Sequence, residues 1–210
     1  MRTGRPRSFC KDEALDRAMM VFWRQGYEGA SLANLTEAMG INSPSLYACF
    51  GSKEGLFKAV LERYDQRRSA FMAQVTGAPT AARVAETFLM GVAAFAADIS
   101  GKTPRGCLML QGGLSCGDDV IPDMLARHRA EKEAVLRERF EHAKKAGDLA
   151  EGCDAAALAR YLMVMSNGIC VQAAAGASAE ELREVATIAL ANWPGAVAAG
   201  GEKSRTKEPA

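Results

Sequence analysis

Apolar residues in this chain recur at helical spacing in nearly every long segment, and no alternating run of β-branched residues is long enough to make a sheet. From Asp12 to Gln25, Leu15, Ala18, Met19 and Phe22 follow the i, i+3, i+4, i+7 rule of a helix with one buried face. The pattern limits the chain to an all-α fold, and glycine and proline punctuate it. Gly26 ends the first helix, because glycine readily takes the left-handed conformation that closes helices. Ser31 caps a second helix that runs through Leu32, Leu35 and Ala38 to Met39, and Gly40 turns the chain. A short third helix is expected with Ser43 as its N-cap and Pro44 in its first turn, ending near Phe50 and Gly51. Ser52, followed by Glu54 and Gly55, opens a long fourth helix with Leu56, Val60 and Tyr64 on one face; it reaches towards Val75, before Gly77 and Pro79. Further helical patterns run from Ala81 to Ile99, from Asp119 or Ile121 to Lys145, from Asp154 to Ala175 and from Ala179 to Trp193. After Pro194 the periodicity disappears, so residues 195–210 read as a flexible tail.

The 210 residues are 49% hydrophobic and 24% charged, which fits an ordinary globular chain of one large or two small domains and excludes disordered and rod-like polymers. The longest apolar run, Phe88 to Ala97, is half of the ~20 residues a membrane helix needs. Met1 to Arg7 lacks the apolar stretch of a secretory signal, so the expected compartment is the cytoplasm. The cysteines (Cys10, Cys49, Cys107, Cys116, Cys153 and Cys170) form no CxxC pair, and the only histidines are His128 and His142. No metal site, cofactor or disulfide framework is signalled, and the cysteines are expected to be thiols. Net charge is only +1, but residues 1–68 hold 11 Lys and Arg against 8 Asp and Glu, which puts the mild positive field at the N-terminal end.

Residues 31–50, SLANLTEAMGINSPSLYACF, describe two short helices joined at Gly40 and Ile41. A helix-turn-helix uses such a turn to pack Leu35, Ile41 and Leu46 inward while the second helix projects its other face towards a major groove. Ser43, Ser45 and Tyr47 offer hydroxyls on that face and Asn42 adds an amide at the turn. Lys53 and the first amides of the fourth helix can meet phosphates. Arg5 and Arg7, around Pro6, form a basic arm suited to a minor groove. The same features also occur in proteins that never touch DNA, and such an arm can be merely a solvated start.

The stretch FWRQGYEGASLANLTEAMGINSPSLYACFGSKEGLF, from Phe22 to Phe57, resembles the DNA-binding domain of the TetR family of transcriptional repressors. The shared parts are Gly26 and Tyr27, Ser31, the Gly40 turn, Ser45-Leu46-Tyr47, Phe50, and Lys53 with Glu54 and Leu56. The resemblance implies a homodimer on a pseudo-palindromic double-stranded operator, released when a small-molecule effector reorients the two reading heads. It divides the chain into a DNA-binding domain over 1–52, a helical effector and dimerisation domain over 53–194, and the tail over 195–210. By position, it places Ser43, Ser45, Tyr47 and Cys49 on the reading face with Asn42 at its edge, and Ser31 and Lys53 on phosphate. Ala33 and Ala48 are smaller than in some relatives and Cys49 stands where histidine is frequent, so base contacts should be fewer and operator preference cannot be copied.

Three further features belong to the larger part. Gly113 to Gly117 spells GxSxG, the nucleophile elbow of serine hydrolases, but the strand that mechanism requires is missing and His128 follows Ser115 too closely for an acid-bearing strand between them. A small helical esterase using Ser115 therefore stands as an alternative function, beside a protein-binding helical adaptor. Cys107 follows Arg105 and Gly106 at a helix start, where a cation and the helix dipole favour thiolate. The Arg-Gly-Cys-Leu stretch resembles one in an electrophile- and aldehyde-sensing branch of TetR-like repressors. Cys107 reads as either a sensor or a buried structural cysteine, with Cys116 and Cys170 as resolving partners. Ala157, Val164, Gly168, Val171 and Ala175 form a stripe of mostly small residues suited to a second subunit. Phe88, Met90, Phe95, Met109, Tyr161 and Met165 are candidates to line an apolar effector pocket, and core packing explains each equally well.

Overall fold

The computed structural model describes residues 10–98, 101, 103–111, 120–191 and 193. Arg5, Arg7, Ser115 with its GxSxG motif, Cys116 and the expected tail lie outside the described residues. Among those described there are nine helices and no strand: α1 (Lys11–Gly29), α2 (Leu32–Met39), α3 (Ser43–Phe50), α4 (Lys53–Thr76), α5 (Ala81–Ala97), α6 (Leu108–Gln111), α7 (Val120–Lys145), α8 (Ala155–Ala174) and α9 (Ala179–Ala191).

The capping chemistry explains the N-terminal boundaries. Ser31 accepts the Asn34 N–H at 3.1 Å and Ser52 accepts the Gly55 N–H at 2.9 Å, each satisfying a donor the helix leaves free. Gly40 closes α2 with φ 68°. The α3 cap differs from the expectation. Asn42, not Ser43, takes that place, its side-chain oxygen accepting the Ser45 N–H at 2.9 Å, while Ser43 is already the first helical residue. Asparagine and serine cap about equally well, so the shift by one is settled by where the extended backbone ends. Gly26 breaks α1 with non-helical angles, although one more turn follows it.

Two apolar cores are formed. In the first, Phe22, Leu35, Leu46, Leu56 and Phe57 are fully buried, and the Phe22 and Phe57 rings meet edge to face at 4.9 Å. Arg63 fastens α4 to α1 through Asp12 at 3.1 Å and Asp16 at 3.0 Å. The second core surrounds α5, with Leu89, Leu136, Phe140, Leu162 and Ile169 buried among α5, α7, α8 and α9. α4 serves both, since Leu56 to Tyr64 belong to the first core and Val75 to the second. Leu108 and Met109 of α6 and Ile121 and Leu125 of α7 also enter the first core. Head and body are thus mechanically joined at α4, α6 and α7.

The α3–α4 junction is tight. A Cβ at Gly55 would stand 2.0 Å from the Phe50 carbonyl oxygen, a backbone atom that cannot swing aside. Gly55→Ala is therefore expected to prise α4 from α3 at a cost of about 1–3 kcal/mol. A melting curve checks this, at roughly 2–4 °C for each kcal/mol lost in a chain of this size.

Candidate nucleic-acid interface and effector cavity

The helix-turn-helix presents α3 outward. Leu46 is completely buried against the head core, so the helix is rotated to leave Ser43 and Cys49 exposed, Ser45 half-buried and Tyr47 47% exposed. Asn42 is exposed but its oxygen serves the cap, leaving only its amide N–H groups for an outside partner. Ser31 lies exposed at the start of α2, its hydroxyl still able to donate. Lys53 rests with Nζ 4.5 Å from the centre of the Tyr27 ring and donates to the Glu28 carbonyl at 3.5 Å, contacts weak enough to leave for a phosphate. The Ser31, Asn42, Ser43, Ser45, Tyr47, Cys49 and Lys53 set belongs to three neighbouring helix ends of one head.

A second site opens between α4, α5, α6, α7 and α8. This cavity, about 280 Å³, lies near the lower end of the range for small-molecule sites. Phe71, Met72, Phe88, Val92, Met109, Leu110 and Met163 make apolar walls, and the Cys107 and Cys170 thiols also line it. Its polar groups are Asp65, Arg68, Arg129, Lys132, Ser69, Ser166 and Asn167. Asp65 is occupied by Lys132 at 2.7 Å and His128 at 3.2 Å. Arg68 donates to the Tyr64 hydroxyl and stacks on the Phe95 ring at 5.0 Å. Arg129 and Asn167 make no hydrogen bond or ion pair among the described residues.

Cys107 sits where the two cores meet, packed against both. The Cys170 S–H hydrogen-bonded to it is the strongest influence holding its thiol well below the ordinary range. Burial opposes that shift, while the Tyr64 hydroxyl at 3.5 Å, the Arg68 cation and the Met109 N–H add to it. Donating that hydrogen bond to the Cys107 thiolate, and being buried, pushes Cys170 strongly up, so it keeps its proton. Burial likewise raises the Tyr64 phenol. The result is a thiol biased towards its thiolate form by the donors around it, on the lining of an apolar cavity.

Of the residues expected to bind effector, Cys107, Cys170, Phe88 and Met109 line this cavity. Four do not. Met90 lines two shallow surface hollows on the opposite side of α5, and Met165 and Tyr161 lie on the far side of α8. The wall of α8 is Met163, Ser166, Asn167 and Cys170, an i, i+3, i+4, i+7 set that excludes both. Tyr161 instead donates to the Ala189 carbonyl at 3.1 Å and packs near Trp193. Phe95 shares the Phe88 stripe but stands two turns beyond Phe88, exposed, with the Arg68 guanidinium over its ring. Tyr64, Arg68, Arg129 and Asn167 were missed. Only the Tyr64–Arg68 spacing of one helical turn could have hinted at a cation bound to that apolar stripe.

Ala157, Val164, Gly168 and Val171 of α8 and Ala175 at its C-cap are all exposed, with Val164 at 59%. Val185 and Ile188 of α9 are exposed as well. Burial inside the monomer therefore does not account for the stripe.

Among the described residues no helix is long and apolar enough to cross a membrane, and no group of three or more His, Cys, Asp or Glu could hold a metal ion. An N-terminal helix-turn-helix carried on a helical body that encloses a cavity is the architecture of a transcriptional regulator. The family model for bacterial regulatory proteins of the tetR family matches residues 14–60. The chain is 38% identical over 197 residues to the HTH-type transcriptional repressor ComR of Escherichia coli (strain K12), covering 91% of this chain and 92% of that protein. It is 49% identical over 61 residues to the repressor BdcR of the same organism, covering 29% of this chain and 31% of that protein. A solved structure of the TetR family regulator CifR, a cysteine mutant complexed with 26-base-pair double-strand operator DNA, is 42% identical with a TM-score of 0.84, covering 90% of this chain and all of that one. The chain belongs to the TetR family of bacterial regulatory proteins, which are transcriptional regulators and not enzymes.

Proposed function

We propose that this chain is a cytoplasmic homodimeric repressor that reads a pseudo-palindromic operator with α3 and lets go when its cavity is occupied or Cys107 is modified. The outward polar face of α3 carries the reading: Tyr47 is a large side chain left exposed one turn after the exposed Ser43, while Leu46 and the half-buried Phe50 anchor the helix. Residues 1–52 act as the reading head and 53–194 as the effector and dimer domain. Ser43, Ser45, Tyr47 and Cys49 face bases, Asn42 edges them, and Ser31, Lys53 and the Arg5 and Arg7 arm meet the backbone. The likeness to CifR, which was solved on operator DNA, supports this. The α8 stripe with Val185 and Ile188 joins two copies, since small residues let helices approach closely.

The effector is a compact apolar molecule with an electrophilic centre at Cys107 and an anionic or acceptor group met by Arg129 and Asn167. Adding bulk at Cys107 displaces the Tyr64 hydroxyl. Tyr64 in turn packs edge to face on Trp23 of α1 at 5.4 Å, so the change reaches the head. Alkylation is expected to release operator from the native chain and not from Cys107→Ser. If the serine variant still lets go, the thiol is a bystander.

The pH dependence has a definite sign. A thiol held low reaches its thiolate form at lower pH, so its alkylation rate should climb less steeply from about pH 7 to 9 than that of an ordinary thiol of pKa near 8.5. Peptide mapping after timed iodoacetamide labelling measures it. Cys170→Ala, which removes the strongest donor, should restore the slope at Cys107.

A further inference from the structure

Cys170 is more than a donor to its neighbour. Gly106 takes φ +91°, and its N–H donates to the Ala96 carbonyl at 2.9 Å. A Cβ there would stand 3.0 Å from the Cys170 carbonyl oxygen and 3.1 Å from the Ala174 Cβ. The glycine thus lets this segment lie directly on α8, which sets Cys107 and Cys170 side by side on one cavity wall. Both are free thiols. Arg105 holds the segment down by donating to the Gly176 and Ala177 carbonyls at the end of α8. Beyond biasing Cys107 towards thiolate, a second thiol on the same cavity lining is placed to attack a sulfur oxidised at Cys107.

We propose that Cys107 and Cys170 form a peroxidatic and resolving pair for an organic hydroperoxide whose apolar body fills the cavity. The Cys107 thiolate attacks the terminal oxygen of ROOH. The O–O bond breaks, hydroxyl is transferred to sulfur as a sulfenic acid, and the electron pair leaves with the alkoxide, which takes a solvent proton to become ROH. The Cys170 sulfur then attacks the Cys107 sulfur. The S–O bond breaks, and the departing hydroxide takes the Cys170 proton to leave as water. Two thiols and ROOH give one disulfide, ROH and water, the peroxide being reduced by the two electrons the sulfurs lose. Arg68 lies beside the departing negative charge, and Phe71, Met72, Phe88 and Val92 receive the apolar group. The bond ties the α5–α6 connection to α8 and draws Cys107 from Tyr64. This consequence rests on the reading that Cys107 controls the head.

The reduced full-length chain is to be treated with one equivalent of cumene hydroperoxide or of hydrogen peroxide and mapped by non-reducing peptide mass spectrometry. A Cys107–Cys170 bridge is expected, formed about tenfold or more faster with cumene hydroperoxide, whose ring can be buried. In Cys170→Ser and Cys170→Ala, dimedone should trap a sulfenic acid on Cys107, and in Cys107→Ser neither bridge nor adduct should form. Matching melting curves establish that the variants fold. A bridge to Cys116, oxidation confined to the exposed Cys10 and Cys49 or to methionines, or a faster reaction with hydrogen peroxide overturns the proposal. If the bridge forms while operator affinity is unchanged, the peroxide site stands and the control of DNA by Cys107 fails. If alkylation releases DNA but no bridge forms, the reverse holds.

Discussion

Glutamate placed together at Val164 and Ile188 is expected to turn the dimer into monomers and to weaken binding to a full operator by about 10²–10⁴, the factor that linking two half-site contacts supplies. In the single chain these side chains are 59% and 61% exposed, so a carboxylate there meets water and the subunit fold is undisturbed. In the proposed dimer the same positions would face a second copy, where an unpaired charge is strongly disfavoured. Gly168→Leu approaches the same point sterically. A Cβ at Gly168 touches nothing within 4 Å in the subunit, so extra bulk is free in the monomer and holds two α8 helices apart in the pair. Sedimentation equilibrium reads the oligomeric state and anisotropy with full and half operators reads affinity. Half-operator binding should be unchanged while full-operator binding collapses. A persistent dimer in both variants would show that the second copy docks elsewhere.

The elements were legible where local chemistry sets them. Ser31 and Ser52 cap the helices they were expected to cap, and Gly40 turns the chain, because each depends only on residues within one turn. The α8 stripe was legible for a similar reason: helical period alone gathers Ala157, Val164, Gly168, Val171 and Ala175 on one side, and the structure then leaves that side exposed. The cavity was legible only in part. Phe88, Met90, Phe95, Tyr161 and Met165 all read as apolar, and which of them face a hollow depends on the rotation of α5 and α8 against their neighbours, a tertiary quantity. Arg68, Arg129 and Asn167 were invisible because nothing local distinguishes a polar residue aimed at a cavity from one aimed at water. Cys107 stood out from its own neighbours, but its partner Cys170 lies on another helix. The contact that depresses its thiol comes from the Gly106 turn docking onto α8.

Operator affinity should fall by about 10³–10⁵ between 50 and 200 mM salt, the range for six to ten neutralised phosphates shared between two heads. The net charge of +1 gives no hint of this, because much of the charge is spent internally: Arg63 and Arg67 are held by Asp12 and Asp16, and Arg17 stands near Glu13. Lys53 belongs to the remaining group, attached only to an aromatic face and a carbonyl that a phosphate can replace. Lys53→Ala should weaken operator and unrelated DNA in parallel and lower the salt slope by about one for each head. Tyr47→Ala should act differently, since a group aimed at base edges discriminates by about 1–3 kcal/mol: operator binding drops, unrelated DNA is barely affected, and the slope is kept. The two variants thus separate backbone positioning from base reading by slope and by specificity ratio, neither of which a simple loss of folding would reproduce. Affinity independent of salt, or a Tyr47→Ala variant that keeps its preference for operator, would mean that this face of α3 is not what meets the duplex.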